Sequence, residues 1–330
     1  MLQLRPLDPA TYAPHPLHRG ERIWPESNCY VDLWIELLHA SGMDPVAALP
    51  FTLTIDLEGD QWTFFKFPLA DLYLLYGLDV FELTVWRSLP AHIENQLTRG
   101  RPTIIEVDGY WLPDTVGTCY RTEHVKTSIA VQAIDVAGER LGYFHNAGYF
   151  ELAGDDFAGA LRTGSTPGSE HLPPYVEVVK AGRAAPATGR ELVGRSVDLL
   201  RMHLQRRPPQ NPFPRYAEQL VADLAWLSGE SLPEFHRYAF ATLRQCGAAF
   251  ELAGAYLRWL DAADPHDLET VAGACDTIAS TAKALQFKIA RVVQTRRAFD
   301  PTAALGAMAV AWDEIMSALT LRSGALAHLR

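Results

Sequence analysis

The chain has 330 residues, which exceeds one typical domain of ~100–200 residues and favours two domains. Its 48% hydrophobic and 21% charged residues exclude a disordered chain, and four cysteines are too few for a disulfide scaffold. The 29 basic and 39 acidic residues give a net charge of −10, so the chain lacks the basic footprint of a dedicated nucleic-acid-binding protein.

The N-terminal region carries no recognisable targeting signal. Residues 1–22 are polar and rich in proline, without the basic and apolar stretches of a secretory signal. No apolar run approaches the ~18–20 residues that a membrane-spanning helix needs. We therefore expect a cytoplasmic protein with no membrane partner, in which cysteines serve packing, metal binding or thiolate chemistry.

Residues 1–185 are expected to form a mixed α/β domain. Apolar positions at helical spacing predict a helix over 29–39, with Asn28 as its N-cap and Gly42 after its end. Two further helices are expected, at 69–78 and 88–98. Alternating or β-branched stretches predict strands that pair as an antiparallel sheet, at 51–57, 102–108, 124–134, 140–145 and 175–180.

Residues 186–330 are expected to form an α-helical bundle domain, after a loop-rich segment at 163–190. Helices are predicted between proline-containing breaks, at 191–206, 215–228, 233–261, 267–298 and 302–320. Residues 1–180 carry a net charge of −12 and the remainder +2. The basic residues of the helical half include two clusters that are either solvated faces or docking surfaces for an acidic partner: Arg201, Arg206, Arg207 and Arg215, and Lys288, Arg291, Arg296 and Arg297.

Cys29 is the candidate nucleophile, because it stands at the first turn of the helix predicted over 29–39. A helix N-terminus presents free N–H groups and partial positive charge, which favour a thiolate. The alternative is a cysteine that packs under a loop.

His124 and Asn146 complete a possible thiol-catalysis arrangement. His124 opens a predicted strand, and Asn146 follows the next one. A histidine accepts the thiol proton, and an amide or carboxylate holds the imidazole in the useful tautomer. Taken singly, His124 is equally typical of a hydrogen-bonding loop residue and Asn146 of a turn residue.

Two other segments supply candidate oxyanion or substrate-binding residues. Residues 57–66 bring together Asp60, Gln61 and Trp62, whose alternative role is a solvated hairpin turn. Trp111 belongs to a loop that either walls a cleft or forms an exposed turn. The spacing of the cysteines and histidines matches no zinc motif, so we expect no bound metal.

The order of these segments resembles the papain-like cysteine superfamily in its bacteriocin-leader-peptidase-like form. That pattern is a cysteine at a helix start, the strand Pro102–Asp108, a strand led by His124 and a strand followed by Asn146. The whole chain resembles the bacterial family known as domain of unknown function 1839. The segments that carry this resemblance are NCYVDLWIELLHASGMDP, LEGDQWTFFK, EVDGYWLPDT, HVKTSIAVQAID and GYFHNAGYFEL.

The division into a papain-like half and a helical half is similar to the butirosin-biosynthesis acyltransferase family. This resemblance implies transfer of an aminoacyl group from a carrier-protein thioester to a small-molecule or peptide amine. The phosphopantetheine arm of the carrier is then the only cofactor-like group. The alternatives are a peptidase or thioesterase with the same residues, and a catalytically inactive binding module.

One position departs from the papain pattern. Ile23 stands where papain-type enzymes place an oxyanion-hole glutamine. The backbone N–H of Cys29 is one replacement donor, and Asn28 or Gln61 is a candidate for the second.

Overall fold

The computed structural model describes residues 1–163, 172–182, 184–263, 265 and 267–322. It is a mixed α/β protein with an antiparallel sheet and a C-terminal helical region. Parts of the predicted loop segment, 164–171 and 183, lie outside the described residues. The chain forms two compact units: Met1–Gly20, Asn28–Pro45 and Leu72–Pro186 in the first, and Glu21–Ser27, Val46–Asp71 and Ala187–Arg330 in the second. Two segments from the N-terminal half, Glu21–Ser27 and Val46–Asp71, thus belong to the helical unit. The sequence pattern does not reveal this.

The first unit is built on a sheet that has seven strands within the described residues, all paired antiparallel. Six strands follow the spatial order β2-β7-β3-β4-β5-β6, and β1 pairs with β4. The strands are β1 (Leu2–Gln3), β2 (Leu78–Glu82), β3 (Thr103–Asp108), β4 (Lys126–Asp135), β5 (Arg140–His145), β6 (Gly148–Ala153) and β7 (Val176–Ala181).

Helices cover both faces of this sheet. Helix α1 (Cys29–Ala40) lies on one face, where the Tyr30 hydroxyl donates to Glu177 of β7. Side chains alternate along a strand, so the neighbour Val176 faces the other way. That opposite face packs against two helices in one buried apolar cluster, α3 (Leu89–Leu97) and α4 (Asp155–Leu161).

The remaining helices include α2 (Leu69–Tyr76) and those of the C-terminal region. The latter are α5 (Gly189–Gln205), α6 (Phe213–Leu227), α7 (Leu232–Ala239), α8 (Gln245–Ala263), α9 (Glu269–Thr295) and α10 (Thr302–Arg322). The helix predicted over 233–261 divides into α7 and α8, because a π-helical turn, Phe240–Arg244, joins them.

The strand predicted at 51–57 is wrong. Residues Pro50–Thr54 form a 3₁₀ helix, led by a proline whose fixed φ suits a helix start. Phe51, Thr52 and Leu53 are all buried, so the apparent alternation of polar and apolar residues does not separate an inner from an outer face. The prediction also missed β2 and β6, which form the two edges of the main strand order.

Helix α10 is long and apolar enough, by composition alone, to cross a membrane. Its most apolar window has a mean hydropathy of 1.3, and 39% of that window is buried inside the protein. A core helix passes the same test, so a single helix of this kind is weak evidence for a membrane span.

Candidate functional site

Cys29 is the first residue of α1 and is half-buried. The preceding residue caps the helix, since Asn28 Oδ1 accepts a hydrogen bond from the backbone N–H of Val31 at 3.0 Å. The sequence interpretation of a helix beginning at Cys29 is therefore confirmed. The other three cysteines are buried, and burial raises the pKa of the Cys246 and Cys275 thiols. Cys29 is thus the cysteine most open to reagents.

His124 lies in the loop before β4 and pairs with the last residue of β3. Its Nδ1 lies 2.5 Å from Asp108 Oδ2, and its ring stacks on Tyr110 with centroids 4.5 Å apart. A carboxylate only accepts hydrogen bonds, so Nδ1–H donates to Asp108, and in the neutral ring Nε2 is the atom that can accept a proton. The imidazole is 72% exposed. Asp108, which the sequence pattern named only as the end of a strand, orients His124 in this structure.

Asn146 occupies a two-residue turn between β5 and β6. His145 and Gly148 pair across this turn, and Asn146 has a φ of 44°. Asparagine adopts this left-handed conformation more readily than most residues, which gives a structural reason for its identity. Within the described part of the chain, its side chain makes no hydrogen bond. The proposed orienting role of Asn146 remains a prediction.

No hydrogen bond within the described residues joins the three predicted catalytic residues. Across the described residues, Cys29 forms no hydrogen bond with His124 or Asn146, and His124 forms none with Asn146. Asp108 follows Val107, which packs in the cluster beneath α3 and α4, so the Asp108 side chain belongs to the opposite face. Helix α1 covers that opposite face. The Asp108 carboxylate and α1 therefore share one face, while His124 stacks on Tyr110, whose ring contacts Trp111 on the α4 side.

A second histidine–aspartate pair lies on the other face. His145 Nδ1 is 2.5 Å from Asp114 Oδ2, and its Nε2 is 2.8 Å from Thr127 Oγ1. The Tyr143 hydroxyl donates to the remaining oxygen of Asp114 at 2.6 Å. Burial, followed by the Asp114 charge, raises the pKa of Tyr143, which therefore stays a donor. Every member of this network is buried.

Sequence reasoning missed this hydroxyl–imidazole–carboxylate chain. Neither His145 nor Asp114 was among the candidate site residues. The available signal was the alternation of β5, because Tyr143 and His145 point to the same side of the strand. Their shared partner, Asp114, is far from both in sequence and could not be assigned without the fold.

A third histidine cluster joins the N-terminal segment to α1. His18 Nε2 lies 3.2 Å from Asp32 Oδ1, and its Nδ1 contacts Glu36 Oε1. The Tyr12 hydroxyl and the backbone N–H of His15 also donate to Glu36. Burial lowers the pKa of His18, but Asp32 and Glu36 together outweigh it and raise the pKa to about 9. A buried imidazolium therefore balances part of the acidic charge on α1.

Trp111 packs on the same side of the sheet as α4. A Cβ on Gly159 of α4 would lie 2.1 Å from the Trp111 ring, so the indole rests directly on the helix backbone. The Arg121 guanidinium forms a cation–π contact with the Trp111 ring, 4.4 Å from its centroid, and an ion pair with Asp156. These contacts account for Trp111 structurally, and its role as a cleft wall remains a prediction.

Asp60, Gln61 and Trp62 belong to the second unit. Trp62 is buried, and its ring packs against Phe213 and Tyr216 at 5.1 and 5.5 Å. Asp60 and Gln61 are exposed. Trp62 is therefore a core residue of the helical unit, while a substrate role for Asp60 and Gln61 remains a prediction.

The second unit also has a surface groove of about 450 Å³, lined in part by Arg207, Trp312, Asp313 and Met316. Among the residues that the structure describes, no group of three or more His, Cys, Asp or Glu side chains is placed to hold a metal ion.

Two family models match the chain. The DUF1839 N-terminal domain matches residues 13–181, and the DUF1839 C-terminal domain matches residues 189–321. The chain therefore belongs to the DUF1839 family, and the resemblance drawn from the sequence motifs is confirmed. No curated protein matches the chain. The papain-like resemblance remains a prediction.

Proposed function

We propose that this DUF1839 protein is a papain-like cysteine acyltransferase. Cys29 is the nucleophile, and His124, oriented by Asp108, is the general base. The substrate is an aminoacyl thioester on the phosphopantetheine arm of a carrier protein, and the acceptor is an amine. Asp108 takes the orienting role that the sequence pattern gave to Asn146.

The position of Cys29 carries this proposal. A thiol that is both accessible and placed at a helix N-terminus meets the two requirements for a reactive thiolate. Among the cysteines only Cys29 combines them, since the other three are buried. The backbone N–H of Cys29 is also a donor that an oxyanion needs, because a helix leaves its first N–H groups without intrahelical partners, whereas the N–H of Val31 is already bound by Asn28.

The His124–Asp108 pair supports the base assignment. Its protonated Nδ1 is held by a carboxylate while Nε2 remains available, as in a nucleophile–histidine–carboxylate triad. Catalysis requires Cys29 Sγ and His124 Nε2 to reach hydrogen-bond distance with the acyl donor bound. Such contacts are often longer in the absence of substrate.

The chemical steps balance without an additional reagent. His124 accepts the Cys29 thiol proton, and the thiolate attacks the thioester carbonyl. The C–S bond to the carrier arm breaks, and the departing thiolate takes the proton from His124. The acceptor amine then attacks the acyl-enzyme, transfers a proton through His124 and releases the Cys29 thiol.

Intact mass spectrometry tests the proposal. The purified protein is mixed with aminoacyl-carrier protein in the absence of an acceptor amine. We expect an added aminoacyl mass on the wild type and on Cys119→Ala, a matched control that removes a buried thiol. We expect none on Cys29→Ala. An equal adduct on Cys29→Ala, or no adduct on the wild type, would overturn the proposal.

Hydrolysis by the same residues is the nearest alternative. Release of free amino acid at the same rate with and without an amine would favour a thioesterase or peptidase.

The lack of a Cys29–His124 hydrogen bond favours a second candidate, an inactive binding module. In that case Cys29 would react with iodoacetamide no faster than free cysteine at neutral pH, whereas an activated thiol reacts faster.

A further inference from the structure

The structure distinguishes the two basic clusters of the helical unit. In the first, Arg201 pairs with Asp198 at 2.8 Å, and Arg215 pairs with Asp56 at 2.5 Å. Arg207 donates to the backbone carbonyl of Leu204. These three guanidinium groups are thus bound by groups of the same unit. They offer less uncompensated positive charge to another protein.

The second cluster, in and after the C-terminal part of α9, is different. Residues 277–299 contain five basic residues and no acidic residue. Lys288, Arg291, Arg296 and Arg297 are exposed, and none forms an ion pair with a residue that the structure describes. This part of α9 therefore presents uncompensated positive charge on a chain whose net charge is −10.

The outward face of α9 also carries an exposed aromatic ring. Phe287 is 66% exposed, and the Lys283 ammonium lies 5.7 Å from its ring centroid. Buried apolar residues occupy the inner face of the same turns, among them Leu285, Ile289 and Val292. We call the exposed set Phe287, Lys288, Arg291 and Arg297 the α9 basic stripe; Lys283 adjoins it but is half-buried, with its ammonium 4.3 Å from the centroid of the Trp24 ring.

Helix stabilisation does not account for the whole stripe. Cations near a helix C-terminus interact favourably with the helix dipole, which explains basic residues in and just after the last turn. That effect fades beyond the last turn, and Lys288 lies about two turns from the end at Thr295. It also gives no reason for an exposed phenylalanine between two lysines. The combination is typical of a protein-binding surface, where charge steers and an aromatic anchor packs.

We propose that the α9 basic stripe docks the acidic surface of the carrier protein that delivers the acyl group. The choice of a carrier protein as the partner rests on the proposed function. A membrane fits less well, because the apolar side of α9 is buried and leaves only Phe287 to insert. Nucleic acid fits less well, because a chain of net charge −10 repels a long polyanion outside the stripe.

Binding of a fluorescently labelled, acidic apo-acyl carrier protein tests the docking surface. The apo form lacks the phosphopantetheine arm, so binding is measured without acyl transfer. We expect Lys288→Glu/Arg291→Glu to weaken binding by about tenfold or more, and wild-type binding to weaken as salt increases.

The matched control is Arg195→Glu/Arg237→Glu. These residues pair with Glu191 and Glu234 on their own helices, and their replacement changes the net charge by the same amount. We expect binding of this control to stay within about twofold of the wild type, since net charge alone acts weakly at a distance in salt. Cys29→Ala is expected to bind normally, so loss of catalysis and loss of docking are separate results.

Three outcomes would overturn the docking proposal. They are an absence of wild-type binding, equal weakening in both charge-reversal variants, and tighter binding to duplex DNA or to anionic phosphatidylserine vesicles than to the carrier protein.

Discussion

Two histidine–aspartate pairs of the first unit, His124–Asp108 and His145–Asp114, have the same Nδ1–Oδ2 distance of 2.5 Å but opposite surroundings. His124 and Asp108 are 72% and 30% exposed, whereas His145 and Asp114 are 2% and 3% exposed. An exposed pair contributes little to stability because water competes for both groups. A buried pair is costly to break, because the remaining group stays unpaired away from water. Burial, rather than bond length, therefore separates the pair available for chemistry from the pair that stabilises the fold.

Removal of the buried carboxylate gives the largest expected effect. Asp114→Ala leaves the His145 ring and the Tyr143 hydroxyl without their shared acceptor, so the free energy of unfolding should fall by ~4 kcal/mol. The exposed counterpart, Asp108→Ala, should cost only ~1 kcal/mol, mainly through the lost cap of Tyr110 N–H. Urea denaturation measures both. Equal losses in the two variants would contradict the distinction by burial.

The His18 cluster makes the stability of the fold depend on pH. The pKa of His18 is about 9 in the folded protein, above the ordinary 6.5. Protonated His18 therefore contributes its full stabilisation of the folded protein below about pH 6.5. As the pH rises through 9, that stabilisation, on the order of 3 kcal/mol, should be lost. Urea denaturation from pH 6 to 10 checks this, and His18→Gln should flatten the alkaline decline.

Protonation of His15 should have the opposite effect and destabilise the folded protein at acid pH. Burial, followed by the nearby His39, lowers the pKa of His15 to about 4. The neutral form is therefore favoured by folding, and stability should decline as the pH falls from 6.5 towards 4. Other groups titrate in this range, so the measurement is the difference between the wild type and His15→Gln. If the free energy of unfolding of His15→Gln fell between pH 6.5 and pH 4 as much as that of the wild type, a lowered pKa of His15 would be contradicted.

Tyr143→Phe should have a smaller effect on the buried network. The ring is retained, but Asp114 loses one donor while keeping His145, which should cost ~1.5 kcal/mol. Thermal unfolding measures the change. A loss as large as that of Asp114→Ala would indicate that Tyr143, and not His145, is the main partner of the carboxylate.

His124→Ala should change stability least, by less than ~0.5 kcal/mol, because the ring is exposed. It should nevertheless slow acylation of Cys29 by ~10²-fold or more, the usual contribution of a general base. A destabilisation comparable to that of the buried pair would contradict its assignment as a surface group.

Local sequence patterns predicted most of the elements but only part of the site. Helical spacing and the cap by Asn28 were sufficient to place Cys29 at a helix start. The buried segment Phe51–Leu53 was misread, because alternation in sequence identifies a strand only when one face meets solvent.

Asp108 and Asp114 acquire their partners through strand pairing and loop geometry, which no single segment encodes. Asn146 was assigned to catalysis from its order in the chain, and the structure supplies a local reason for it, the positive φ of a tight turn.

The rate of Cys29 acylation in two matched variants tests the central claim most directly. His124→Gln removes the imidazole of the exposed pair, and Thr127→Val removes the hydroxyl that contacts His145 in the buried network. Intact mass spectrometry follows the aminoacyl adduct over time. The account predicts a rate at least ~10²-fold lower in His124→Gln and little change in a folded Thr127→Val. A wild-type rate in His124→Gln, or the larger loss in Thr127→Val, would contradict it.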